Sequence, residues 1–178
     1  IFVGGRMSEP VTRNCHYPQL ITLPAALLKQ EGNLLDLKVQ GAALQRVAAV
    51  QRAGGLSALK IGPYDSLSAE YAERSFWSVG AIKIVSVVLA ALGFFMAMLG
   101  GLNRREAFLG YFGWASLGWA LLSARVWWRD VPLDNASVEF LSGAAFAVIV
   151  ALVVQFLLSH AGVRSRMLES ALLVQCVV

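Results

Sequence analysis

Three stretches of this chain, Val79 to Gly101, Ala107 to Val126 and Phe140 to Leu158, stay apolar for long enough to cross a bilayer. Spanning the hydrocarbon core takes about 20 consecutive apolar residues. A chain with three such runs is an integral membrane protein, and the runs themselves are expected as helices. A fourth apolar run opens at Leu168 and is cut off at Val178.

The loops between the spans carry unequal charge, and this predicts an orientation. Asn103-Arg104-Arg105-Glu106 and the segment His160 to Arg166, with Arg164 and Arg166, are basic; Trp127 to Glu139 sets Arg129 against Asp130, Asp134 and Glu139. Positive loops remain in the cytoplasm, so Arg104, Arg105, Arg164 and Arg166 mark the inner side. The first span then runs inward and everything before Phe76 lies outside. Phe76-Trp77 and Trp127-Trp128 fall at the same outer interface, where amphipathic rings concentrate.

Composition agrees once it is divided. The 178 residues are 57% hydrophobic and only 15% charged, with a mean hydropathy of +0.62, too apolar for an ordinary soluble domain. Residues before about Ser75 are mixed in character; the rest is bilayer sequence. The net charge of +4 would suggest an anionic partner in a soluble protein, but here part of the basic excess sits in the inner loops. It reads as topology, and nucleic acid is not an expected partner.

The two cysteines, Cys15 and Cys176, fall in different environments, too far apart to bridge. The chain opens on Ile1-Phe2-Val3 before Gly4-Gly5 and closes inside an apolar run. A fragment of a longer protein is therefore expected, with a secretory signal upstream.

The external region shows strand patterning. Leu20, Thr22 and Pro24 alternate with Ile21, Leu23 and Ala25, and Leu35, Leu37 and Val39 alternate with Asp36 and Lys38. Gly41 closes the second run, while Gly54-Gly55 and Gly62-Pro63 bracket a third from Leu56 to Ile61. Short runs of this kind divided by Gly and Pro predict an antiparallel β-sandwich. Ala42 to Arg52 has no clear period, and Leu67 to Trp77 is a polar, helix-prone stalk.

Thr22-Leu23-Pro24-Ala25-Ala26-Leu27-Leu28, Gly32-Asn33-Leu34 and Leu35-Asp36-Leu37-Lys38-Val39 resemble the strand, turn and strand of galactose-binding-like jelly rolls. Joined to Ala53-Gly54-Gly55-Leu56-Ser57, Ile61-Gly62-Pro63 and the helices that begin at Phe76-Trp77, the chain resembles the bacterial seven-transmembrane receptors with diverse intracellular signalling modules. The likeness divides it into a partial extracytoplasmic jelly-roll sensor (1–66), a helical stalk (67–78) and a partial transmembrane bundle (79–178). It implies a bacterial inner (plasma) membrane location and a small-molecule or carbohydrate-like ligand outside. It also implies a cytoplasmic output module in the parent chain, a histidine kinase of a two-component system or a diguanylate cyclase. Membrane lipid and a second copy of the chain complete the expected partners.

Within these residues no chemistry is expected. Ser159-His160 looks like a phospho-acceptor histidine, but Ala161 follows it, no Thr-Pro follows Arg164, and another apolar run begins almost at once. His16 stands beside Cys15, and adjacent residues on a strand point to opposite faces. Asp36, Asp65 and the glutamates lack metal-ligand spacing. Gly54-Gly55 with Gly62 is better explained by turns than by a phosphate loop, and two histidines in separate compartments cannot build a serine triad. No catalytic residue, metal or cofactor is expected, and the ligand-binding residues are not identified.

Small residues carry the strongest mechanical signal. Gly93, Ala97 and Gly101 recur every four residues in the first span, Ser116, Ala120 and Ala124 in the second, and Gly143, Ala147 and Ala151 in the third. Such stripes let membrane helices approach closely, so these nine are the expected packing residues. Lys83 lies about one turn inside the first span and is expected to snorkel outward. Gln155 is expected to bond between helices.

The leading expectation is the input and membrane-spanning part of a signal receptor. A transport component is the alternative, disfavoured because the spans lack proline and carry few interior polar groups. A membrane-anchored glycan-binding protein is the third reading.

Overall fold

The computed structural model describes residues 2, 4–6, 8, 10, 12–39, 41, 55–56, 58–163, 170 and 172. Its elements are helical: α1 (Tyr64–Ser75), a π-helical turn (Phe76–Gly80), α2 (Ala81–Leu102), α3 (Ala107–Trp127) and α4 (Asn135–His160), with short 3-10 turns at Ala25–Leu27 and Arg104–Glu106. α1, the π turn and α2 form one unbroken helix from Tyr64 to Leu102. That helix, α3 and α4 are each long and apolar enough to cross a membrane, and the chain is a multi-pass membrane protein.

The expected β-sandwich is not there: among the described residues no strand forms. Leu35, Leu37 and Val39 do alternate with charged neighbours, but they are 45, 46 and 53% exposed. The reason is physical. Alternation favours an extended backbone, yet a sheet exists only when a second strand supplies the ladder hydrogen bonds and covers the apolar face. Pro24 opens a 3-10 turn in which the Leu27 amide donates to its carbonyl (3.0 Å). Asn33 then folds its side chain onto both backbone groups of Lys29, so local bonds replace a ladder. The unassigned connection Ala42 to Arg52, Gly54, Arg164, Arg166, and all but two residues of the fourth apolar run lie outside the described residues.

The helix ends follow from capping chemistry. α1 starts after Pro63 and has Asp65 in its first turn, where a negative charge complements the helix dipole. Lys60 pairs with Glu70 along its exposed side. Asn103 ends α2 and accepts from the Arg105 amide at 3.3 Å, turning the chain into α3. Asp134 caps α4 by accepting from the Ser137 amide at 3.1 Å, as short polar residues do at helix starts. At the other end the Val163 amide reaches Leu158 O (3.0 Å), the Gly162 amide reaches Ser159 O (3.3 Å), and Gly162 has φ +69°. This is a Schellman stop, for which glycine is the suited residue.

α3 is the central helix, with α2 on one side and α4 on the other. The α2–α3 contact is nearly backbone on backbone. A Cβ added at Gly93 would meet Gly113 O and Leu117 N at 2.9 Å, one at Gly100 would meet the Gly110 Cα at 2.6 Å, and one at Gly113 would collide with Ala97. Between α3 and α4 the fit is a side chain in a notch: Ile149, only 4% exposed, occupies the space left by Gly118. Phe156 packs against Phe112 and Phe108, with His160 over both Phe108 and Phe156. Membrane helices gain association from such close van der Waals fits because lipid supplies no hydrophobic drive between them.

Candidate functional site

A network of polar contacts joins the N-terminal segment to the α3–α4 loop. Two bonds hold Arg6 and Thr12 side by side there: the Thr12 amide donates to Arg6 O at 3.2 Å, and the Arg6 amide donates to the Thr12 hydroxyl at 3.0 Å. Gly5 permits it. Its φ is +148°, and a Cβ there would stand 2.7 Å from that of Thr12, a position side-chain-bearing residues rarely tolerate.

This loop is fastened to residues more than a hundred positions away. Thr12 donates its hydroxyl proton to Asp130 Oδ1 at 2.8 Å, and the Arg6 guanidinium pairs with the same oxygen at 3.4 Å. Arg129 reaches the other way, donating to Asn14 Oδ1 at 2.6 Å and Gly4 O at 3.4 Å while its guanidinium lies 4.8 Å from the centre of the Tyr17 ring. The Arg13 amide donates to Arg129 O at 3.1 Å, the Arg13 guanidinium to Asn135 Oδ1 at 3.2 Å, and the Tyr17 hydroxyl to Trp127 O. We call this set of contacts the clasp. Arg129 is its hub, since a planar guanidinium can hydrogen bond and stack at once.

Beneath the clasp, inside the ends of α3 and α4, Arg125 and Glu139 form an ion pair whose side chains are largely covered. The carboxylates of the α3–α4 loop are tuned by their neighbours. Asp130 is held below the usual carboxylate range chiefly by the Thr12 hydroxyl, then by Arg6 and Arg129. Asp134 is lowered by the hydroxyl and the amide of Ser137. Both remain ionised through the neutral range.

The residues singled out in the sequence are distributed as follows. Gly93 and Ala97 face Gly113 and Ser116 of α3. Ser116 and Ala120 are buried and Ala124 lines a cavity between α2 and α3. Gly101 and Gly143 have open space where a Cβ would stand; Ala147 and Ala151 are half-buried on α4. Lys83 holds its ammonium 5.7 Å from the centre of the Trp127 ring. Arg104 and Arg105 lie in the 3-10 turn between α2 and α3, at the end of the bundle opposite the clasp. Cys15 is an exposed free thiol beside the clasp. Among the described residues no group of acidic, histidine or cysteine side chains is placed to hold a metal ion.

Sequence reasoning did not find the clasp, the Arg125–Glu139 pair or the glycines Gly100, Gly110, Gly113 and Gly118. The glycines did carry a signal: Gly93 and Gly100 are seven apart on α2, two turns along one face. Compared with family models, curated proteins and solved structures, the chain matches none.

Proposed function

We propose that this chain is the input and membrane-spanning part of a bacterial signal receptor, relaying an extracytoplasmic condition to a cytoplasmic output module in its parent protein. The observation that carries the reading is the clasp. It ties the N-terminal segment to the ends of two membrane helices through many weak, individually reversible polar contacts. A covalent or apolar dock would hold more rigidly; a polar junction whose Arg6, Thr12 and Asp130 contacts are exposed has bonds that a ligand or a change in the envelope can replace.

The geometry also supplies a route. The N-terminal segment touches the α3–α4 hairpin directly, while α1 runs into α2 without a break. Displacement outside can thus reach the bundle at two points. The π turn at Phe76–Gly80 sits at the junction of α1 and α2, and such turns are commonly found where helices do work. In this reading the clasp faces the periplasm and the Arg104-Arg105 turn faces the cytoplasm of the inner membrane, as the loop charges indicate.

The test uses the parent protein. Inserting two glycines after Arg74 leaves the clasp intact but lets α1 move without dragging α2. Output measured against stimulus is expected to flatten in the insert. A response equal to wild type would overturn the α1 route.

A further inference from the structure

A cavity of about 280 Å³ lies between the clasp-side halves of α2 and α3. Ser86, Val87 and Ala90 form one wall and Ala120, Ala124 and Trp127 the other. The tight crossing of Gly93 on Gly113 and Leu117 closes its deep end. The lining is mostly apolar: the Ser86 hydroxyl is already spent on Ile82 O at 2.7 Å, which leaves the buried Trp127 Nε1 as the polar atom of the lining without a protein partner. Ser86, Ala90, Ala120 and Ala124 leave the space, and Leu117 and Leu121 complete its apolar lining.

Its other end is charged. Lys83, Ser86, Val87 and Ala90 follow the i, i+3, i+4, i+7 spacing of a single helix face, so Lys83 heads the same wall that lines the groove. Its ammonium lies over Trp127, which lines the opposite wall. Lys83 is exposed, and no carboxylate among the described residues pairs with it. An unpaired cation one turn inside a membrane span is expensive. Its flexible stem can carry the ammonium outward toward the lipid headgroups, above the apolar slot between α2 and α3.

We propose that this groove holds one anionic phospholipid of the clasp-side leaflet, an acyl chain in the slot and the headgroup phosphate on Lys83. Charge complementarity decides the occupant. A zwitterionic lipid brings its own cation beside the phosphate and competes poorly for the ammonium, whereas an anionic headgroup neutralises it; basic sites between membrane helices bind such headgroups. The lipid would also wedge α2 from α3 next to the π turn, making bilayer composition a second input to the same helix pair. The binding itself stands whether or not the chain is a receptor.

The full chain, purified in detergent, is mixed with dioleoyl phosphatidylglycerol or dioleoyl phosphatidylcholine, and bound lipid is counted by native mass spectrometry. Wild type and Lys83→Arg are expected to retain the phosphatidylglycerol roughly fivefold better than the phosphatidylcholine, the increment one basic residue near anionic headgroups supplies. Lys83→Gln is expected to bring the two lipids to parity, and Ala90→Leu, which fills the slot, to lose both. An undiminished preference in Lys83→Gln, or no preference in wild type, would overturn the proposal. So would a photo-crosslinker at Val87 that captures a second copy of the chain instead of lipid, since the groove would then be a helix-docking face.

Discussion

Arg125 near the end of α3 and Glu139 near the start of α4 form an ion pair directly beneath the clasp, with side chains only 21% and 12% exposed. The pair joins the two helices to which the N-terminal segment is fastened. Removing Glu139 leaves the covered Arg125 guanidinium without its carboxylate, which in protein interiors costs about 3 kcal/mol or more. Glu139→Ala is therefore expected to lower thermal stability in detergent strongly, while the exchange Arg125→Glu with Glu139→Arg recovers a large part of the loss. Equal melting temperatures for wild type and Glu139→Ala would show that the pair is not held in the membrane.

Helix packing gives a second expectation. Gly113→Ala forces a methyl into the Ala97 backbone, and overpacking of this kind costs roughly 1 to 3 kcal/mol. Gly143→Ala enters open space and should be neutral or slightly stabilising through helix propensity. Detergent melting curves compare the two, and the order Gly113→Ala below Gly143→Ala is the expected one.

Orientation is checked by fusion. A reporter enzyme active only in the periplasm should work when joined near Asp134 and fail when joined near Asn103. The reverse would place the clasp in the cytoplasm and remove the extracytoplasmic input.

Acid should loosen the clasp. Asp130 is held below its ordinary value of 3.8, so it binds fewer protons folded than unfolded. Its contribution is complete above that value and is lost as the pH falls through the lowered one. The carboxylate is exposed, so the effect is small and local. Amide protection over Thr12 to Tyr17, corrected for intrinsic exchange, is expected to fall as the pH drops below 3.8 in wild type, and to be low and flat in Asp130→Asn.

The membrane helices were legible because their cause is local: a run of apolar residues has one stable arrangement in lipid. The observed α3, Ala107–Trp127, lies within a residue of the apolar run read in the sequence. α4 starts five residues before Phe140, at Asn135, because Asp134 supplies a cap that hydropathy does not register. The sandwich failed as an expectation for the opposite reason. Period-two alternation at Leu35, Leu37 and Val39 describes one strand, whereas a sheet depends on partners elsewhere in the chain. Small-residue stripes fall between the two cases. They say where close approach is allowed, but not whether backbone fills the gap, as Gly113 does for Gly93, or a side chain does, as Ile149 does for Gly118. The clasp was illegible altogether, since nothing local relates Thr12 to Asp130 across 118 positions.

The central claim is that the clasp communicates with the far end of the bundle. Nitroxide labels at Leu102 and Val163, both exposed at the end opposite the clasp, report that end by pulsed electron resonance in nanodiscs, with Cys15 and Cys176 replaced by serine. Arg129→Ala removes the hub of the clasp while leaving both labelled sites untouched. The account predicts a shifted or broadened distance distribution between the labels in Arg129→Ala relative to the parent. Superimposable distributions would contradict it, because the N-terminal segment would then be anchored to the membrane helices without influencing them.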